Sequence, residues 1–233
     1  GKFAVIFEGR EQTFNSLPQD KKDLIMNYKI LVYVCKGTES EIKEWFKTIN
    51  TEGVPLNEQE LRNAIYSGSF VTLAKQEFSN SEDARKEKWA TYIRGDINRQ
   101  EILQEALKWV GIKNGKTIDA YMSEHRQDDN IDELTKNFTT IIDWVSSTFP
   151  GETYKEMRGR EWGRLYKDYG KKSYDPKRNQ KRVKELMDDE TVTDKKEIFE
   201  YILSGERNKK LLNIRIFDDK IAKQAYNLSL IHI

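Results

Sequence analysis

The chain has 233 residues, 37% hydrophobic and 34% charged, and its 40 Lys and Arg against 39 Asp and Glu give a formal charge of +1. That length allows one large domain or two small ones, and no apolar run approaches the roughly 20 residues that a bilayer-spanning helix needs. A single cysteine excludes an intramolecular disulfide and a cysteine-pair zinc site, and the two histidines, His125 and His232, have no partner at ligand spacing.

In chain order, residues 3–7, 11–14 and 30–35 read as strands. They are short, rich in β-branched and aromatic residues, and bounded by Gly9-Arg10, Leu17-Pro18 and Lys36-Gly37. Residues 21–27 read as a short helix between them. Cys35 lies in the third strand and reads as a buried thiol, which fits a reducing cytoplasm. The sequence opens on Gly1 and enters this apolar stretch at once, so a segment of a longer protein is expected, its β portion the tail of a sheet domain.

After Thr38 the pattern is helical. Ile42, Trp45, Phe46 and Ile49 share one face of a helix, opened by a Thr38/Glu41 capping box and stopped by Gly53. Asn57 caps the next helix with Glu60 as its box partner, and Gly68 ends it. Residues 69–78 form another, with Phe70, Leu73, Ala74 and Phe78 inward. Asn98 is expected to cap a helix over 99–110, with Glu101 as partner and Ile102, Leu103, Ala106, Leu107 and Val110 inward. Asn130 is expected to cap one with Glu133 as partner, its stripe of Leu134, Phe138, Ile141, Ile142, Val145 and Phe149 ending at Pro150-Gly151. Further helices are expected over 161–169, 176–187 with Pro176 at the start, from Thr193 or Asp194 to Leu203 with Gly205 closing, and 217–228. The fold class is therefore α+β and predominantly α, with joints at 80–83 and 171–175.

Charge is unevenly spread. Residues 119–143 carry seven acids and two bases, whereas 151–184 carry twelve bases and five acids, interleaved with Tyr154, Trp162, Tyr166, Tyr169 and Tyr174. Cations that neutralise phosphate beside rings that stack on bases are the ingredients of a nucleic-acid surface. The candidate DNA contacts are Arg158, Arg160, Arg164, Lys171, Lys172, Arg178 and Lys181. The competing reading is a solvated helix face with its aromatics in the core. The acidic pairs Asp128-Asp129 and Asp188-Asp189 read as loop charges or, in a carboxylate hydrolase, as Mg²⁺ ligands.

The most distinctive run is Glu44-Trp45-Phe46-Lys47-Thr48-Ile49-Asn50-Thr51-Glu52-Gly53-Val54-Pro55-Leu56-Asn57-Glu58-Gln59-Glu60-Leu61-Arg62-Asn63-Ala64. By spacing it is a capped helical corner dense in polar side chains, a place where binding groups tend to sit, and an ordinary corner is the alternative. The run resembles the Phe-x-x-Ile-Asn-Thr-x-Gly-x-x-Leu-x-x-Gln-Glu-Leu-Arg-Asn-Ala signature of the GmrSD-type restriction endonucleases, whose N-terminal part is a ParB-like nuclease/NTPase domain. Tyr92-Ile93-Arg94-Gly95, Arg99-Gln100-Glu101, Tyr121-Met122 with His125, Trp162-Gly163-Arg164-Leu165-Tyr166, Tyr201-Ile202-Leu203-Ser204-Gly205 and Leu212-Asn213-Ile214-Arg215-Ile216-Phe217 resemble the subfamily in which a helical extension leads to an HNH nuclease.

The resemblance implies the C-terminal part of a small ParB-like α/β domain over 1–80, a multi-helix connector over 81–228, and a tail, 229–233, outside the family pattern. It implies a parent that cleaves foreign DNA in the cytoplasm of bacteria, or in phages, using a nucleoside triphosphate and Mg²⁺ or Mn²⁺, with DNA as partner and no membrane. The nucleotide or active-site pocket would be lined by Asn50, Thr51, Gly53, Gln59, Glu60, Arg62 and Asn63. Two departures matter. Neither the family's Asp-Gly-Gln-Gln-Arg nor a paired-histidine HNH motif occurs in the sequence, so no catalytic residue, cofactor or metal is assigned to this segment. Glu52 also stands where the family often has glycine, and a carboxylate there repels phosphate. A non-enzymatic helical module for DNA or protein binding is the alternative.

Overall fold

The computed structural model describes residues 4–30, 32, 34, 36–49, 56–79, 84–96, 98 and 100–215. The chain divides into two compact units, Gly1–Ile42 and Lys43–Ile233. It is predominantly helical, with one two-stranded sheet among the described residues.

In the first unit, β1 (Ala4–Phe7) pairs antiparallel with β2 (Arg10–Thr13), Ala4 opposite Thr13 and Phe7 opposite Arg10. Glu8 and Gly9 make the turn with φ of 51° and 73°. Two consecutive left-handed residues give a two-residue hairpin turn whose twist matches that of the strands. A helical turn at Phe14–Ser16 follows, then α1 (Gln19–Met26), ended by Asn27, whose side-chain amide donates to Asp23 O at 2.8 Å. The strand expected over 30–35 is not borne out where it can be seen. Ile30, Val32 and Val34 have no regular structure and are 77%, 72% and 80% exposed, while Leu31, Tyr33 and Cys35 lie outside the described residues. β propensity alone does not make a strand. The backbone needs a ladder partner, and the hairpin supplies none here.

α2 (Glu39–Ile49) starts as expected. The Glu41 carboxylate accepts from the Thr38 N–H at 2.7 Å and its hydroxyl at 2.9 Å, which lowers the Glu41 pKa.

The second unit is built around α6 (Glu101–Asn114), which packs on α3 (Glu58–Ile65), α4 (Ser69–Phe78), α7 (Ile118–Glu124), α8 (Asp132–Thr148) and α9 (Trp162–Tyr169). The predicted inward residues of α4, α6 and α8 are buried except Leu73, which is half-buried. Trp109 joins them. Its ring stacks on Phe138 at 5.3 Å, and Phe138 in turn meets Phe78 and Trp89, the last on α5 (Arg85–Tyr92). Gly163 lets α9 approach α6, since a Cβ there would lie 2.5 Å from Trp109 Cδ1.

Two predicted helix starts are corrected. α6 begins at Glu101 rather than Arg99 because Gln100 is left-handed, φ 62°, and the Glu101 carboxylate reaches the Asp96 N–H instead of Asn98. α8 begins at Asp132, and Glu133 serves no capping box because tertiary partners claim it: Lys113 at 3.0 Å, Asn114 at 3.2 Å and the Tyr121 hydroxyl at 3.2 Å. Gly68, expected to end α3, is the residue before α4.

α10 (Pro176–Asp188) and α11 (Ile198–Leu203) complete the unit, packing on each other and on α8 and α9 respectively. Asp175 caps α10 by accepting from Lys177 N and Arg178 N. At its other end the Lys195 ammonium donates to Leu186 O, Met187 O and Asp189 O at 3.0, 2.7 and 2.6 Å. The 171–175 joint is fastened by the Tyr174 hydroxyl, within hydrogen-bond reach of Tyr169 O and Leu203 O. The helix expected over 217–228, the tail and the 80–83 joint lie outside the described residues.

Candidate functional site

Of the seven residues expected in the signature pocket, Asn50, Thr51 and Gly53 lie outside the described residues. Glu60 is engaged in the expected capping box: its carboxylate accepts the Asn57 N–H, and Asn57 Oδ1 accepts the Glu60 N–H, both at 2.8 Å. Gln59, Arg62 and Asn63 are brought together on the α3 face toward α7. Gln59 is 0% exposed, and its Nε2 donates to Asn63 Oδ1 at 2.9 Å and contacts Met122 Sδ at 3.6 Å. Arg62 Nε donates to Asp119 Oδ2 at 3.3 Å and its Nη2 to Glu58 at 3.1 Å. The Tyr66 hydroxyl donates to the other Asp119 oxygen at 3.1 Å.

Asp119 therefore ties α7 to α3, a role invisible locally. Its only signal is a place in the first turn after the Thr117 cap. Two buried atoms of this group have no hydrogen-bond partner among the described residues, Gln59 Oε1 and Arg62 Nη1. A buried polar atom left unpaired costs about 1–3 kcal/mol.

One acid of each pair is engaged locally. Asp128 Oδ2 sits 2.7 Å from His125 Nδ1, and Asp189 Oδ1 accepts from the Thr191 N–H and hydroxyl, bonds that lower the Asp189 pKa. Among the described residues no group of three or more His, Cys, Asp or Glu is placed to hold a metal ion.

The seven predicted DNA contacts separate into two sets. Arg158 Nε donates to Ile93 O, and Lys172 lies over the Tyr169 ring. Arg160 is bidentate on Glu197, and Arg164 is bidentate on Glu200 and reaches Asp168. Arg160 and Arg164 are thus neutralised by acids of the fold, whereas Arg158 and Lys172 each make one contact and stay exposed. Lys171 is exposed. Arg178 reaches Glu206 at 3.3 Å but keeps 74% of its side chain exposed, and Lys181 is 3.9 Å from Glu185 and 81% exposed. On α10, Lys181 is flanked at helical spacing by Lys177 and Lys184, both exposed and without an ion pair among the described residues. These two neighbours were missed. Their signal was the spacing of four and three residues, which a count of charges along the chain does not register.

Two tyrosines give the unit a pH dependence. Burial, reinforced by the Glu133 carboxylate, pushes Tyr121 well above its ordinary pKa, and burial pushes Tyr174 up to about 12. Each phenol is held protonated more firmly in the folded than in the unfolded chain. Their stabilisation is therefore complete below the unfolded pKa of about 10 and is lost as pH rises from there through the folded values. Tyr174→Phe is expected to flatten the fall in stability between about pH 10 and 12, measured by denaturant unfolding. An unchanged slope would show that Tyr174 titrates normally.

No helix among the described residues is long and apolar enough to cross a membrane. No protein-family model matches the chain, and neither the curated proteins nor the solved structures hold a match to it.

Proposed function

We propose that this chain forms the ParB-like and helical regions of a GmrSD-type restriction endonuclease, and that the helical region binds DNA through α10. The family reading rests on the signature. It is supported by the way Gln59, Arg62 and Asn63 gather into one polar group, with two buried atoms unpaired among the described residues. The DNA reading is carried by one observation: Lys177, Lys181 and Lys184 form an exposed row on one side of a helix, beside the exposed Arg178. Such a row neutralises successive phosphates without reading sequence. Nucleoside triphosphate and Mg²⁺ or Mn²⁺ would belong to the complete enzyme in the cytoplasm.

The test is duplex binding across a salt series. Replacing Lys177, Lys181 and Lys184 together by alanine should weaken binding and lower the log–log salt slope by about three units, one per phosphate contact. Equal affinity and slope would leave the row a solvated face. The chain by itself should leave plasmid intact with Mg²⁺ or Mn²⁺ and nucleoside triphosphate. Cleavage that disappears on mutating Asp128 and Asp129 would favour a carboxylate hydrolase instead.

A further inference from the structure

The lysine row of α10 borders a cleft. It holds about 310 Å³ and lies between α10 and the segment that follows α8. That size is at the lower end of the roughly 300–1,000 Å³ of small-ligand pockets. Lys177, Gln180, Lys181 and Lys184 recur at steps of three and four residues or lie side by side, so they share the face of α10 that makes one wall. Pro150 and Tyr154, both half-buried, belong to the other. Met157, Val183 and Phe199 are buried and close the floor, so a ligand meets the walls.

Charge in the cleft is one-sided. Three exposed lysines face one acid, Glu152, and that acid is engaged: the Tyr154 hydroxyl donates to its carboxylate at 3.4 Å. Such a wall attracts an anionic chain.

Gln180 adds an uncharged polar group between the lysines. Gly151, left-handed at φ 97°, leaves open the space into which the Gln180 amide packs, and a Cβ there would collide with Nε2. Gln180 is exposed and makes no hydrogen bond among the described residues. Its amide therefore offers a donor and an acceptor together, the combination with which glutamine matches the edge of a base.

We propose that this cleft receives one unstacked base of a nucleic-acid strand whose phosphates follow Lys177, Lys181 and Lys184, so that α10 prefers single-stranded to duplex nucleic acid. The inference rests on the DNA reading above and narrows it. In a duplex every base is stacked and paired, and drawing one out carries a cost that a single strand does not bear. The Tyr154 ring stacks on the base, a contact open to any base, and Gln180 bonds its edge. An acidic peptide satisfies the lysines but brings no flat ring for Tyr154.

The experiment is fluorescence anisotropy on the whole chain with four labelled probes: a mixed-sequence DNA strand, that strand paired with its complement, an abasic sugar–phosphate strand of the same length, and an oligoglutamate. The strand should bind at least about fivefold more tightly than the other three. Tyr154→Ala should remove that advantage and leave duplex binding as it was, whereas Tyr154→Phe, which keeps the ring, should retain it. Gln180→Ala, at an exposed position, should weaken the strand and not the duplex. If Tyr154→Ala weakens strand and duplex alike, Gln180→Ala decides. Duplex bound as tightly as the strand would overturn this inference and leave the DNA reading standing. So would a strand preference that survives both alanine variants. Oligoglutamate bound as tightly as the strand would assign the cleft to an acidic peptide instead. Absence of binding by strand and duplex would overturn both the DNA reading and this inference.

Discussion

Trp162→Ala is expected to remove about 4–6 kcal/mol from the stability of the helical unit and to lower its melting temperature by about 10–20 °C. Trp162 is 0% exposed and is the ring on which three others converge: Tyr92 at 6.3 Å, Phe149 at 6.3 Å and Phe199 at 5.8 Å. Truncation leaves a cavity whose walls come from four separate segments, so no single shift closes it. It also takes the Nε1 donor from Met157 O, bonded at 2.9 Å, in a buried place. The loss is a large share of the roughly 5–15 kcal/mol that holds a domain together. Trp162→Phe, which keeps most of the volume, should cost clearly less. Thermal unfolding followed by circular dichroism decides it. A change under about 2 kcal/mol for the alanine variant would mean that the walls collapse freely.

Glu200→Ala should cost about 3 kcal/mol, at the low end of the range for a broken buried ion pair. Glu200 faces two guanidiniums: Arg164 Nη1 donates to it at 3.1 Å, and Arg160 Nη2 lies 3.7 Å from its Oε2. The Glu200 and Arg160 side chains are 14% and 11% exposed, whereas Arg164 is 43% exposed, so solvent screens part of the loss. Removing the carboxylate leaves two like charges side by side. A double-mutant cycle with Arg164→Ala separates the pair from the rest. Coupling near zero, with Glu200→Ala costing under about 1 kcal/mol, would make this a surface contact.

These two cases mark what the sequence could show. The Asn57/Glu60 and Thr38/Glu41 boxes were legible because each is closed by residues three apart, and the α8 stripe because helical periodicity is local. The starts of α6 and α8 misled for a physical reason. Asn98 and Asn130 look like caps, yet a left-handed Gln100 and the tertiary partners of Glu133 decide the boundary. The strand at 30–35 was read from propensity, which does not say whether a partner strand is present. The basic stretch was visible as composition, but the acids that occupy Arg160 and Arg164 lie more than thirty residues further on, at Glu197 and Glu200. Within the signature, Gln59, Arg62 and Asn63 could be seen to lie at helical spacing. The link through Asp119, and the unpaired Gln59 and Arg62 atoms, needed the fold.

The two ends of α10 carry a consequence for how its lysines meet a charged partner. Asp175 holds the first turn, and the Lys195 ammonium closes three carbonyls at the last, a cation placed where the helix dipole favours it. A helix pinned at both ends does not fray. Lys177, Lys181 and Lys184 therefore sit on a backbone that has already given up its conformational entropy during folding. What remains to be lost on association is side-chain rotamer freedom, roughly 0.5–1.5 kcal/mol for each lysine that becomes fixed. Acetylating Lys195 would undo that preorganisation from outside the row, loosening the helix without altering any of the three lysines themselves.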